Sequence, residues 1–235
     1  MNKIRAHVFA AMLSACLAVF QVISYSEDVP DEALPSDGSV PAERSKDASW
    51  HNHRGFYLSM STGPAFGDIV FDASGTIFNQ MIFSGSGYTF DFKIGGAVVE
   101  NIILSADMLS REIVGPDITM DGLSGTTNSN VSAGDAAFGV GLTYYIMPVN
   151  VFVNATLASC NFTMNFNGTE GSSETGFGFL AKIGKEWWVS RNWGLGISGS
   201  YGYSSAYDKP DPLVPEYSGK LSTSKFAVMF NTTFN

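Results

Sequence analysis

The chain of 235 residues carries a formal charge of −9, with 45% hydrophobic, 13% aromatic and 15% charged residues. Charge is scarce beside the roughly 25% usual for soluble domains, yet mean hydropathy is only +0.08 and no stretch reaches the ~18 apolar residues of a membrane helix. A helical membrane protein is excluded, and so is an electrostatic binder of nucleic acid, because neutralising phosphates needs clustered Lys and Arg.

Residues 1–26 begin with Lys3, Arg5 and His7, continue through a mostly apolar run over 8–23, and end on Ser24-Tyr25-Ser26, whose small residues at −3 and −1 suit a signal peptidase. The segment reads as a secretory signal peptide cleaved after Ser26. Leu13-Ser14-Ala15-Cys16 matches a lipobox, which would make Cys16 a lipid-bearing N-terminus; against it, the apolar run before the motif is only residues 8–12. Export leaves Cys160 as the remaining thiol, so no intramolecular disulfide is expected. Loss of Lys3 and Arg5 with the signal moves the charge from −9 to −11.

Residues 27–54 hold Pro30, Pro35 and Pro41 and seven acids against three bases. That composition reads as a disordered, acidic periplasmic tether. It closes on His51-Asn52-His53, which binds a metal only if further ligands come from elsewhere and is otherwise solvated.

The period becomes two from residue 55. Tyr88, Phe90, Phe92 and Ile94 alternate with Thr89, Asp91, Lys93 and Gly95, and Phe138, Val140, Leu142, Tyr144 and Ile146 alternate with Gly139, Gly141, Thr143 and Tyr145. One apolar and one polar face at this spacing is the signature of strands. Eight such runs are predicted, over residues 55–66, 86–99, 102–110, 132–146, 151–166, 175–189, 193–203 and 221–234, enough to close a small barrel. The fifth run changes phase, with Val151, Val153 and Leu157 at odd positions and Phe162, Met164 and Phe166 at even ones; a bulge near Ser159-Cys160-Asn161 would restore it.

The connections alternate in length, long over 67–85, 111–131, 167–174 and 204–220 and short over 100–101, 147–150 and 190–192. Outer-membrane barrels have this asymmetry, with both termini at the short-turn, periplasmic end. Apolar clusters in the first long loop, Ile69-Val70-Phe71 and Ile77-Phe78 through Met81-Ile82-Phe83, predict either strands extending past the membrane or a loop folded onto the barrel mouth.

Residue size indicates which face is inside. Gly, Ser, Ala and Thr dominate the polar face, which suits the cramped lumen of eight strands, whereas the apolar face is too bulky to fit there. Tyr144, Tyr145, Trp187, Trp188 and Trp193 flank the short turns and read as a periplasmic interface girdle, the alternative being ordinary turn-flanking core rings. A soluble periplasmic ligand-binding barrel, with the apolar face turned inward, is the competing architecture.

In strand pattern, in the opening Gly55-Phe56-Tyr57-Leu58, in the turn from Lys185-Glu186-Trp187-Trp188 to Trp193-Gly194-Leu195-Gly196, and in its last strand, the region 55–235 resembles the small eight-stranded outer-membrane barrels of Gram-negative bacteria. Opacity-protein-like proteins, OmpX, OmpW and the OmpA membrane domain are members. The resemblance implies an all-β, eight-stranded antiparallel up-and-down transmembrane β-barrel in the cell outer membrane. It also implies outer-membrane lipid and lipopolysaccharide around the wall, and a barrel-assembly machinery that reads terminal aromatics, here Phe230 and Phe234. Phe234 is penultimate rather than last.

Enzymatic outer-membrane barrels use His as the base near neutral pH, and here His7, His51 and His53 all precede the barrel. Glu170 with Glu174 and Asp208 with Asp211 fall in polar loops, and Gly176-Phe177-Gly178-Phe179-Leu180-Ala181 matches the letters of a dinucleotide fingerprint without its strand-to-helix setting. No enzyme activity, cofactor or metal is expected. By parity Asp91, Lys93, Asp107, Lys182, Glu186 and Lys225 point into the lumen, where unpaired charge is costly. They are expected to pair across strands, as a plug or as a narrow gated pore. Lys185 has lipid-facing parity and snorkels to the periplasmic interface. The outer loops set ten acids against Arg111, Lys209 and Lys220. The expected protein is a monomeric, non-enzymatic barrel for surface interaction or envelope integrity; the second reading is a narrow channel for ions or small apolar solutes.

Overall fold

A computed structural model describes residues 52–74, 78–209 and 218–235. The signal peptide, Cys16, His51 and nearly all of the tether lie outside the described residues.

Among the described residues the chain forms thirteen strands: β1 (Phe56–Phe66), β2 (Ile69–Ser74), β3 (Gln80–Ser84), β4 (Ser86–Val99), β5 (Ile102–Val114), β6 (Asp117–Met120), β7 (Leu123–Thr126), β8 (Val131–Ile146), β9 (Val151–Phe166), β10 (Thr169–Ser172), β11 (Gly176–Trp188), β12 (Trp193–Tyr207) and β13 (Ser218–Phe234). The eight long ones, β1, β4, β5, β8, β9, β11, β12 and β13, pair antiparallel in that order, and β13 returns to β1 through Leu58↔Phe234 and Phe66↔Phe226. The sheet is thereby a closed eight-stranded barrel without a free edge in its wall. Two of its tight turns place Asn101 and Asn150 at positive φ, a conformation Asn tolerates better than most residues.

The wall strands match the eight predicted runs in number and order, but several run further outward. β5 continues to Val114, β12 to Tyr207, and β13 starts at Ser218. Their outer ends carry a sheet extension in which β13 pairs with β2, β2 with β3, β3 with β6 and β6 with β7. Both readings of the first long loop therefore hold among the described residues, since Ile69-Val70-Phe71 and Met81-Ile82-Phe83 lie on strands while Ile69 and Phe83 are fully buried in the outer core.

Ile94, Leu104, Phe138, Val140, Leu142, Leu157, Ile183, Ile197, Val228 and Phe230 all project outward and are exposed. An exposed apolar surface of this extent is not sustained in water. It rules out the inward-facing arrangement of a soluble ligand-binding barrel. From Trp193 to Tyr203, both outward on β12, ten residues climb about 25 Å at the usual strand tilt, the height of a hydrocarbon band.

The bulge expected near Ser159-Cys160-Asn161 is absent. β8 and β9 pair without a shift from Ile146↔Val151 to Val131↔Phe166, and the even residues Phe152, Asn154, Thr156, Ala158, Cys160 and Phe162 all face in. The phase change in the sequence has another cause: the outer lumen is apolar, so Phe162 belongs inside where Asn154 and Thr156 belong lower down. A register irregularity lies instead at Ala97–Val99, between β4 and β5.

Candidate functional site

Among the described residues, alternation gathers the buried charges in the lumen. Asp91 and Lys93, two apart on β4, share a face, as do Ser105 and Asp107 on β5. Asp107 Oδ2 accepts from Lys93 Nζ at 2.5 Å and from Thr156 Oγ1 at 2.5 Å, and its Oδ1 accepts from Ser105 Oγ at 2.5 Å. Lys182 Nζ donates to Asp91 Oδ2 at 2.8 Å and to Ser61 Oγ at 2.7 Å, and Lys93 lies 3.4 Å from Asp91 Oδ1. Two lysines and two aspartates thus form a neutral, buried quartet held by hydroxyls from three further strand positions. Gly141 supplies its space: a Cβ there would lie 2.1 Å from Asp107 Oδ2. Gly141→Ala is expected to displace that carboxylate and lower the unfolding free energy by about 1–3 kcal/mol, measured by urea titration in detergent.

A second cluster sits further out. Arg111 Nε donates to Asp135 Oδ1 at 3.2 Å, Lys225 pairs with Asp135 Oδ2, and Ser204 Oγ donates to the same oxygen at 3.3 Å. Arg111 also donates to the Gly67 carbonyl at 3.0 Å and to Thr223 Oγ1 at 2.8 Å, tying the first outer loop to the wall. Leu109 and Leu180, one inward step above Asp107 and Lys182, separate the two clusters. The void between them, lined by Asp91, Leu109, Leu180 and Lys225 among others, measures about 10 Å³, the threshold for one water. Around and above the second cluster Ile69, Phe83, Phe162 and Leu221 are buried in one apolar cluster.

Rings gather at the periplasmic end. Tyr57, Ile103, Tyr145 and Phe152 are buried together. Tyr57 and Tyr145 hydroxyls meet at 3.1 Å, and Glu186 accepts from Tyr145 at 3.3 Å and from Thr233 Oγ1 at 2.7 Å. His53 stacks on Tyr145 with ring centroids 3.5 Å apart.

All six charges assigned to the lumen by parity lie in it, but they do not all pair as expected. Glu186 has no Lys or Arg within ion-pair distance among the described residues, and hydroxyls hold it instead, because Lys182 is drawn to Asp91. Sequence reasoning missed Arg111 and Asp135. Arg111 had been counted among the outer loop bases, yet it is fully enclosed on β5; Glu112, counted among the loop acids, is also on that strand but exposed. Continuing the odd parity of Asp107 to residue 111, and that of Thr143 to residue 135, identifies both. With them the buried charges Lys93, Arg111, Lys182, Lys225 and Asp91, Asp107, Asp135, Glu186 balance to zero among the described residues.

The aromatic group at the short turns divides. Tyr144 and Trp187 are exposed outward, and Trp193 lies edge-on to Phe234 at 5.3 Å on the same outer face. Tyr145 and Trp188 do not belong to an outward girdle: they take the inward parity, next to Tyr144 and Trp187, and flank His53. His53 itself is not part of a solvated tether, being fully buried. Phe230 is exposed and Phe234 half-buried on β13, and Lys185 donates to the Val149 carbonyl from the outer face.

No protein-family profile matches the sequence, and no curated protein matches it. Solved structures of similar fold include Neisserial surface protein A (13% identity, 77% of this chain and 96% of that chain covered, TM-score 0.44) and the outer membrane protein OprG from Pseudomonas aeruginosa (11%, 78% and 98%, 0.45). The outer membrane protease OmpT from Escherichia coli is also similar (10%, 77% and 96%, 0.41). At such identities the likeness concerns architecture alone. On its own geometry, the closed eight-stranded antiparallel barrel with an apolar exterior is the architecture of a membrane-spanning β-barrel.

Proposed function

We propose that this protein is a non-enzymatic outer-membrane barrel with a closed lumen, acting in surface interaction or envelope integrity rather than transport. The observation that supports it is the stratified filling of the lumen: rings at the periplasmic mouth, a neutral quartet above them, a second charge cluster, and an apolar core under the outer sheet. Buried side chains occupy each layer, and the void between the two charge clusters measures only about 10 Å³, which supports a lumen without a continuous ion path. No His lies on β1 to β13, and His53 at the mouth is buried and engaged with Tyr145 and Asn150, so no free imidazole base faces the lumen, which supports a non-catalytic role. In this reading the monomer sits among outer-membrane lipid and lipopolysaccharide, the assembly machinery engages the β13 aromatics Phe230 and Phe234, and the outer sheet meets an extracellular partner.

Planar-bilayer recording tests the closed lumen. The expected trace shows no stable openings. Stable openings that disappear in Lys182→Ala or Glu186→Gln would establish the narrow channel instead.

A further inference from the structure

Residues 52–54 precede the first strand, yet His53 is fully buried at the periplasmic mouth. Three independent contacts dock it there. Its ring stacks on Tyr145 at 3.5 Å and 19°, Nε2 lies 2.9 Å from Asn150 Oδ1, and its backbone is clamped by Asn101, whose Oδ1 accepts from His53 N at 3.0 Å and whose N–H donates to the His53 carbonyl at 3.0 Å. This arrangement suits a neutral imidazole. Nδ1 is buried with no partner among the described residues, so a second ring proton would have nothing to accept it.

We propose that His53 is a proton-sensitive latch: neutral, it holds the chain entering the barrel against the periplasmic mouth, and protonated, it releases that segment.

The surroundings offer no counter-charge. From β8 the ring meets Tyr145, and from β11 Trp188. Glu186 on β11 and Tyr57 on β1 lie behind Tyr145 and are bonded to its hydroxyl rather than to His53. Glu100, in the turn after β4, is taken by Arg54 at 2.6 Å. Lys185 reaches the Val149 carbonyl, beside Asn150, from the outer face and adds positive charge if anything. Burial accordingly pushes His53 from 6.5 down to about 4, the Asn150 hydrogen bond only partly opposing it.

A depressed folded value means that docking is at full strength above 6.5, weakens as pH falls from there toward 4, and levels off below. Between about pH 7 and about pH 5 the ratio of released to docked segment is expected to rise about 20-fold.

The test is NMR on the full chain in lipid nanodiscs, in a His51→Gln background so that the neighbouring imidazole does not interfere. His53 is expected to titrate well below 6.5, with the Asn101 amide shifting in the same transition, and His53→Phe is expected to keep that amide docked down to about pH 4. Titration of His53 at its ordinary value with the Asn101 amide unmoved, or an acid transition that persists in His53→Phe, overturns the latch. Hydrogen exchange of the Asn101 amide, corrected for its intrinsic pH dependence, gives the answer without any substitution at residue 53. Protection falling about 20-fold over the same range supports release, and constant protection refutes it.

Discussion

Replacement of Asp135 by Ala is expected to lower the unfolding free energy by about 3–5 kcal/mol, the cost of leaving buried charge without its partner. Asp135 is the only carboxylate in contact with both Arg111 and Lys225 among the described residues, and its own side chain is fully enclosed. Truncating it strands two cations in the outer lumen, next to Ile113, Phe162 and Leu221. Neither can leave easily, since Arg111 also holds the Gly67 carbonyl and Thr223. Urea titration in detergent or lipid reads the loss. The double variant Asp135→Ala with Lys225→Met is expected to recover part of it, because one stranded cation is then removed together with its desolvation cost. A single-variant loss below about 1 kcal/mol, the scale of an exposed pair, would show that water reaches the cluster.

The second large effect lies on the opposite face of the wall. Ile183, in the middle of β11 and 58% exposed, is expected to cost about 2–4 kcal/mol when changed to Arg, since the guanidinium enters hydrocarbon at mid-height. Tyr207, 63% exposed at the outer end of β12, is the control. Tyr207→Arg is expected to cost about 0–1 kcal/mol, because the side chain sits near the interface and snorkels. Exposure to solvent is nearly the same for the two residues, so only a lipid environment separates them. Equal, small costs in the reconstituted protein would mean that the belt faces water.

Several features could be read directly from the chain. Strand number, order and the outward face followed from period-two alternation, and the six lumen charges followed from parity. Parity also contained more than was taken from it. Tyr145 alternates with Tyr144, and Trp188 with Trp187, so two of the five rings at the short turns had to face inward; nearness to the turn was allowed to outweigh the alternation. Arg111 was missed because the predicted strand was stopped at residue 110, whereas the wall continues beyond the bilayer, where outward residues no longer need to be apolar and the contrast between faces fades. Asp135 lay inside the predicted run 132–146, but the inward parity of Thr143 was not followed that far.

The phase change in β9 carries the same lesson. Alternation reports the contrast between two environments, and it reports a bulge only when that contrast is constant along the strand. Here the inside changes from polar at Asn154 and Thr156 to apolar at Cys160 and Phe162, so the pattern inverts while the register does not.

Local alternation thus sufficed for an eight-stranded, lipid-facing wall with a small-residue lumen, because each strand records its own two faces within a few residues. Partnerships inside the lumen depended on closure of the ring. Lys182 meets Asp91 across 91 positions of sequence and Arg111 meets Thr223 across 112, distances over which no periodicity carries information. The tertiary structure alone decided that Glu186 is held by hydroxyls, that Asp135 bridges two cations, how the outer-loop strands pair into a sheet, and that His53 is folded into the mouth of the barrel.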